Sequence, residues 1–282
     1  VSETVMKVGS VAPWFGGKRT LAPTIVREIG PCSSFWELCC GSLAVLFSKP
    51  PSASEAVVDL HGDVTNLARV LASDQWTDLA ERVERTIFSD ALFEEAKERL
   101  DQAPGDEVDR AYDYLVVSWM GLNGVAGTDQ HNLNFCVRYT SNGGDPGRRW
   151  RSVGDSLPAW HDRLKGVKVL RRDIFSVAER IEDKPGTVIY CDPPYIAKGS
   201  RYLHEFTAAD HERLAALLSR FERTRVVVSY YDHPTLDVLY DGWTKVSLSA
   251  SKKMVNSIRR ASGDQVAAPE ILLINGPSYT RN

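Results

Sequence analysis

The residues whose types point most directly to chemistry are Asp192, Pro193, Pro194 and Tyr195, which follow the apolar run VIYC at 188–191 without a break. At average residue usage, an Asp-Pro-Pro-aromatic tetrad arises by chance in only about a few of every thousand chains of this length, so its context repays a close reading. An exocyclic amine on a nucleobase is a poor nucleophile because its lone pair is delocalised into the ring. A carboxylate and a carbonyl accepting its two hydrogens would localise that pair, and Asp192 with the Pro193 carbonyl are suited to the task. Neither proline has an N–H to compete as a donor, and their fixed φ stiffens the turn. Tyr195 offers a flat face on which a base can stack after leaving the helix. If the amine attacks a methyl sulfonium, the positive charge that develops on nitrogen is stabilised by an ionised Asp192. Alone, the tetrad also allows a strand-ending acid followed by a Pro-Pro turn with a rim aromatic.

Two further segments add context. FWELCCGS at 35–42 reads as a strand ending near Glu37 and followed by Gly41, a place where backbone can approach a nucleotide-like ligand closely. Asp59 ends the next apolar run 22 residues after Glu37, the spacing at which a strand-tip acid reaches a ribose. PWFGGK at 13–18 sets Trp14, a Gly16-Gly17 turn and Lys18 before a helical run, but lacks the full phosphate-binding pattern GxxxxGKT/S.

Positioning these groups requires a framework, and the apolar periodicity supplies one. Strand-like runs at 35–38, 56–60, 167–170, 187–191 and 225–230 alternate with helix-compatible runs at 43–47, 174–182 and 207–222, and two more strand candidates follow at 243–249 and 270–275. That alternation predicts an α/β fold, a Rossmann-like, mostly parallel sheet with helices on both faces, with ligands outside the carboxyl ends of the strands. Residues 74–164 break the pattern and read as an inserted, mainly helical subdomain between 1–73 and 165–282. From Ser73 to Asp113 there are 13 acidic and 5 basic side chains on helical periodicity, whereas Gly147 to Arg172 carries 8 basic residues against Asp155 and Asp162. The intervening 122–154, rich in Gly, Asn, Arg and aromatics, reads as a loop-rich edge.

The 282 residues, 43% hydrophobic and 25% charged, exclude disorder, collagen and coiled coil. The lack of a membrane-length apolar run or an apolar leader predicts a cytoplasmic protein. Five cysteines without CxxC spacing and six scattered histidines predict neither disulfide nor metal site.

Taken in order, PWFGGK, FWELCCGS, VVDLHGD, the inserted segment, DPPY and PEILLIN resemble the Dam-like, alpha-group DNA adenine methyltransferases, enzymes of bacteria and their phages that use S-adenosylmethionine. The likeness runs the length of the chain. It implies transfer of a methyl group from S-adenosylmethionine to the N6 amine of adenine at specific sites in double-stranded DNA, with the insertion reading the target. Carried over, the cofactor-binding positions are Trp14, Lys18, Glu37, Gly41, Asp59, Asp173 beside the cofactor adenine, and Asp192. The catalytic positions are Asp192, Pro193, Pro194 and Tyr195. A cognate restriction endonuclease is compatible with this reading and not required by it. The chain departs from the pattern at Leu43, where the family usually has a second glycine, at Asp173-Ile174-Phe175 in place of Asp-Phe, and at Cys39 and Cys40, which read as packing.

A net charge of −3 does not argue against DNA, because local basic surface decides phosphate contact. Arg148, Arg149, Arg151, Lys252, Lys253, Arg259 and Arg260 read as basic loop residues. Asn134, Arg138 and Tyr139 are suited to reach base edges or wedge into the stack. Trp119, Trp150 and Trp160 read as core or hinge aromatics. Two other readings stay open: a DNA- or cofactor-binding homologue that has lost catalysis, for which Leu43 is the hint, and methylation of cytosine N4 or of RNA, which the tetrad's chemistry also allows.

Overall fold

The computed structural model describes residues 8–14, 16–102, 107–122, 134–137, 144–196, 206–248 and 269–280. In chain order its first elements are α1 (Ala22–Ile29), β1 (Ser34–Leu38), α2 (Ala44–Ser48), β2 (Ser54–Asp59) and α3 (Gly62–Ala72). Five helices follow: α4 (Trp76–Arg85), α5 (Asp90–Asp101), α6 (Glu107–Met120), α7 (Pro146–Gly154) and α8 (Leu157–Leu164). Alternation then resumes with β3 (Lys168–Arg171), α9 (Ile174–Ala178), β4 (Thr187–Cys191), α10 (Ala208–Leu218), β5 (Arg225–Tyr231), α11 (Pro234–Leu239), β6 (Thr244–Leu248) and β7 (Glu270–Ile274). The sheet order is β3-β2-β1-β4-β5-β7-β6, with every pairing parallel except those of β7 to β5 and β6. This is the Rossmann-like, mostly parallel sheet that the alternation predicts.

Side-chain alternation along the strands builds two cores. On β4, Val188 and Tyr190 join one, while Ile189 and Cys191 join the other; Leu272 and Leu273 of β7 divide in the same way. A strand buried on both faces needs apolar residues at successive positions, which is why TVIYC reads as a continuous run. One layer is formed by α1 to α8 and the other by α9 to α11. Helices from 74–164 therefore share a core with the strands instead of packing alone. Arg163 of α8 reinforces that union, its guanidinium pairing with Glu55 at the start of β2, which also takes Lys49 at 2.9 Å.

One expectation needs correcting. Residues 146–154, read as part of a loop-rich edge, form α7, so Arg148, Arg149 and Arg151 lie on a helix. The signal was local: Asp145 caps the helix by accepting the Arg148 N–H at 2.7 Å, Pro146 occupies its first turn, and Trp150 and Val153 anchor it. Two helices also end early, α9 at Ala178 and α10 at Leu218.

Leu43 takes up the family departure in its backbone. It sits at φ 62 and ψ 21, in the left-handed region that favours glycine, with its side chain fully buried. A non-glycine residue pays about 1–2 kcal/mol there, against the 2–5 kcal/mol or so that losing a buried leucine side chain costs. Leu43→Ala keeps the strain and loses the packing, whereas Leu43→Gly loses the packing but relaxes the backbone. Urea denaturation should therefore find both variants less stable than the parent, with the glycine variant about 1 kcal/mol more stable than the alanine one. The reverse order would remove backbone strain from the account.

Candidate active site

The sheet changes direction between β1 and β4, where the chain steps from one side of β1 to the other, and ligands of open α/β sheets bind at such a point. Here the carboxyl ends of β1, β2 and β4 open into a cleft of about 910 Å³ including its mouth. Trp14, Lys18, Glu37, Gly41, Asp59, Asp173 and Asp192 all line it, as does Pro194. Among the family-derived cofactor and catalytic positions, only Pro193 and Tyr195 fall outside that lining; Pro193 is buried, and Tyr195 bonds to Asp192 from the side.

The acids expected on the cofactor side are fixed by backbone. Asp59 accepts the Gly41 N–H at 2.8 Å with one carboxylate oxygen and the His61 N–H at 2.9 Å with the other, which ties the β1 loop to the β2 tip. Gly41 has φ 45, and a Cβ there would lie 2.8 Å from the Trp14 indole nitrogen, so only glycine lets that ring approach. Glu37 is buried and accepts the Leu46 N–H at 3.0 Å. Burial pushes its carboxyl up to about 8, the Leu46 N–H opposing the rise and the Asp192 carboxylate adding to it. Asp173 caps α9 by accepting the Ser176 N–H at 3.1 Å. The aromatic expected at this wall is displaced: Ile174 lines the cleft, Phe175 packs behind it, and Phe206, stacked on Phe175 at 5.7 Å, reaches the cavity. Leu43 is not among the lining residues, so this departure leaves the cleft open. The thiols of Cys39 and Cys40 are held well above their usual range, Cys39 by a hydrogen bond to Cys191 and by burial, Cys40 by burial and by the neighbouring Asp59 and Glu37. Both are protonated thiols, and both line the cleft instead of only packing behind it.

At the other end of the cleft stands a charge cluster. The Lys18 ammonium is 2.7 Å from Asp192 Oδ2 and 3.0 Å from Glu270 Oε1, with only 5% of its side chain exposed. The Tyr195 hydroxyl lies 2.9 Å from Asp192 Oδ1 and 2.7 Å from Glu270 Oε1. Lys18 thus reaches the tetrad and not Asp59. Burial lowers the affinity of its ammonium for a proton, but the Asp192 and Glu270 carboxylates outweigh that and raise it above its ordinary value. For Asp192, burial pushes the carboxyl up to about 6, with Lys18 pulling it down and Glu270 pushing it further up. It is therefore mostly ionised at neutral pH. The Tyr195 ring packs edge-on against Tyr231 at 4.6 Å and tilts against Tyr230 at 5.7 Å.

A helical run and a glycine turn do not by themselves aim Lys18; a strap does. Trp160 donates its indole N–H to the Val8 carbonyl at 2.8 Å, Trp119 donates to the Val11 carbonyl at 2.9 Å, and the Val11 N–H bonds the Ser42 carbonyl at 3.0 Å. Trp119, Trp150 and Trp160 are all buried, the core role read from sequence.

A family model described as D12 class N6 adenine-specific DNA methyltransferase matches residues 14–256. The chain belongs to that family. This methyltransferase is also similar to the Retron Ec67 DNA adenine methylase of Escherichia coli, 25% identical over 276 residues that cover 95% of this chain and 92% of that protein. Its product is accordingly N6-methylated adenine in DNA. Of the methyltransferase's candidate DNA contacts, Asn134 is exposed beyond α6, where its carbonyl accepts the Leu122 N–H at 2.8 Å. Arg148 is exposed on α7, and the Arg149 guanidinium sits 4.8 Å over the Trp119 ring. Arg138, Tyr139, Lys252, Lys253, Arg259 and Arg260 lie outside the described residues. Among the described residues no helix is long and apolar enough to cross a membrane, and no three His, Cys, Asp or Glu gather as metal ligands would.

Residues that the sequence reading missed are Glu270, Phe206 and His61. His61 caps α3 and packs against Trp14 at 5.4 Å, and the VVDLHGD segment held its only hint. Glu270 stood in plain view at the head of EILLI, but its relevance depends on strand direction.

The raised Glu37 carboxyl predicts a pH effect. Its folded value of about 8 exceeds its ordinary 4.5, so between those limits the folded protein holds an extra proton. Stability therefore falls as pH rises through this window, and the loss is complete above it. Glu37→Gln should remove that slope: urea midpoints of the variant relative to the parent should rise between pH 5 and pH 8. A pH-independent difference would count against a buried, protonated Glu37.

Proposed function

We propose that the cleft holds S-adenosylmethionine and that Asp192 polarises the N6 amine of an adenine extruded from double-stranded DNA. The observation that carries this reading is the Asp192 carboxylate at the β4 tip, lining the same cleft as Glu37 and Asp59. The lining of the cleft suits the cofactor: Gly41 keeps one wall thin, and Phe206 with Ile174 gives an apolar slot beside the Asp173 carboxylate. In this reading Asp59 takes the ribose hydroxyls, Asp173 the adenine edge, and Glu37, Gly41 and Trp14 the remainder of the cofactor. When bound, the cofactor supplies an electrophilic methyl group on a cationic sulfur.

The chain's own residues do the rest. Asp192 and the Pro193 carbonyl accept the two amine hydrogens and concentrate the nitrogen lone pair. As nitrogen gains positive charge, the ionised Asp192 stabilises it in a site of low dielectric, where such an interaction is strongest. The carboxylate need not be a strong base, because the proton is lost after methyl transfer. Pro194 and Tyr195 shape the slot for the base. Residues 74–164 contribute target recognition, with Asn134 toward bases and Arg148 and Arg149 toward phosphates, joined by Arg138, Tyr139, Lys252 and Lys253. The reading assigns the protein to the cytoplasm, where DNA is accessible. The burial of Leu43 away from the cleft supports an active enzyme over an impaired homologue.

Transfer of labelled methyl to methyl-free genomic DNA, followed by mapping of the modified bases, tests the reading as a whole; label confined to no defined sequence would overturn site specificity. Asp192→Ala should lower single-turnover methyl transfer by about 100- to 1,000-fold while cofactor affinity stays within a few-fold, since the interaction matters chiefly in the transition state. Parallel loss of binding and turnover in a folded variant would refute that role. Arg148→Ala/Arg149→Ala should weaken DNA binding and flatten its dependence on log salt concentration by about 0.9 for each phosphate that is no longer neutralised; an unchanged slope removes both arginines from the backbone-binding surface.

A further inference from the structure

We propose that Glu270 is a positioning residue for methyl transfer, the counter-charge that keeps Lys18 from neutralising Asp192. The inference rests on the methyl-transfer reading above. Glu270 opens β7, and because β7 runs antiparallel to β5, with Glu270 opposite Tyr231, its first residue stands at the sheet edge where β4 and β5 end. In a parallel strand the same residue would sit at the opposite edge.

The cluster contains one ammonium and two carboxylates, all largely withdrawn from water: Lys18 is 5% exposed, Asp192 19% and Glu270 13%. Lys18 bridges the carboxylates at 2.7 and 3.0 Å, and its ammonium also donates to the Gly16 carbonyl at 2.7 Å. The Tyr195 hydroxyl has one proton and two carboxylate oxygens within 2.9 Å, so it holds the pair together without altering their charge. The net charge is −1. Without Glu270 it would be zero, at the spot where cationic character must develop on the target nitrogen. Lys18 organises Asp192, and Glu270 offsets the charge that Lys18 brings.

The groups facing Asp192 are Lys18 from the N-terminal strap, Glu37 and Cys39 from the end of β1, Tyr190 from β4, Tyr195 from the tetrad and Glu270 from β7. Of these, Glu270 and Lys18 are the charges in direct contact with its carboxylate or with its immediate partners. Losing the Glu270 charge makes Asp192 easier to ionise, since a like charge no longer opposes it.

The test is single-turnover methyl transfer to double-stranded DNA across pH, with the parent enzyme, Glu270→Gln and Lys18→Met/Glu270→Gln measured side by side. Glu270→Gln should retain cofactor affinity, lose about tenfold to a hundredfold in plateau rate, and shift the acid limb of its pH profile to lower pH. A packing defect would lower the plateau without that shift. Removing Lys18 as well returns the cluster to −1 at a pH high enough to keep Asp192 ionised without its partner, so on the alkaline plateau the double variant should be faster than Glu270→Gln alone. A Glu270→Gln plateau equal to that of the parent, an acid limb that stays in place, or a double variant no faster than the single one on the alkaline plateau would each overturn the proposal. A parent enzyme that places no methyl on adenine N6 would instead overturn the reading on which it rests.

Discussion

A carboxylate held out of water at the end of a parallel strand must have its charge compensated, yet it is useful to an electron-poor amine only if that compensation is incomplete. The Lys18 contact at 2.7 Å from Asp192 meets the first demand, and burial raises its importance, because an unpaired carboxylate in this position would take up a proton instead. Glu270 meets the second. With Tyr195 spanning both acids, the group forms a closed unit whose parts come from the N-terminal strap, the loop after β4 and the start of β7. Sheet order, strand direction and strap position all converge on that unit.

The strap is the least regular of the three suppliers. It lies outside the seven-stranded sheet, and its backbone is secured by individual groups: two indole N–H donors from α6 and α8, the Ser156 hydroxyl on the Val8 N–H at 3.0 Å, and the Ser42 carbonyl on the Val11 N–H. From there the turn at Gly16 and Gly17 delivers Lys18, whose carbonyl starts α1 by accepting the Leu21 and Ala22 N–H groups. Trp14, on the way, packs against Gly41 and His61 and so closes one side of the cleft. A single irregular segment thus serves both ends of the site.

What could be read from sequence was what is written locally. VIYC and AVV reveal buried strands because both faces need apolar residues, and the acids at their ends line one cleft because parallel strands expose their carboxyl tips together. Helix α7 was legible too, through Asp145 and Pro146, but the high arginine and glycine content around it drew the reading toward a loop. Two things were not legible in principle. Lys18 sits beside a glycine turn that suggests phosphate or cofactor, and only the path of the strap turns it toward Asp192. Glu270 requires knowing that β7 reverses direction, which neither periodicity nor spacing encodes. Leu43 is a third case: its backbone conformation preserves the geometry that glycine normally provides, so a substitution that looks disruptive in the chain is absorbed by strain and burial.

The indole bonds from Trp119 and Trp160 to the strap carry a consequence for modularity. Both aromatics belong to the stretch between the two α/β portions, and Arg149 rests on the face of one of them. Replacing that stretch with one of different sequence would remove the clasps that aim Trp14 and Lys18. Grafts that retain only the exposed surface of that stretch would inherit a loosened cleft, and any exchange of it has to travel with its own pair of anchors.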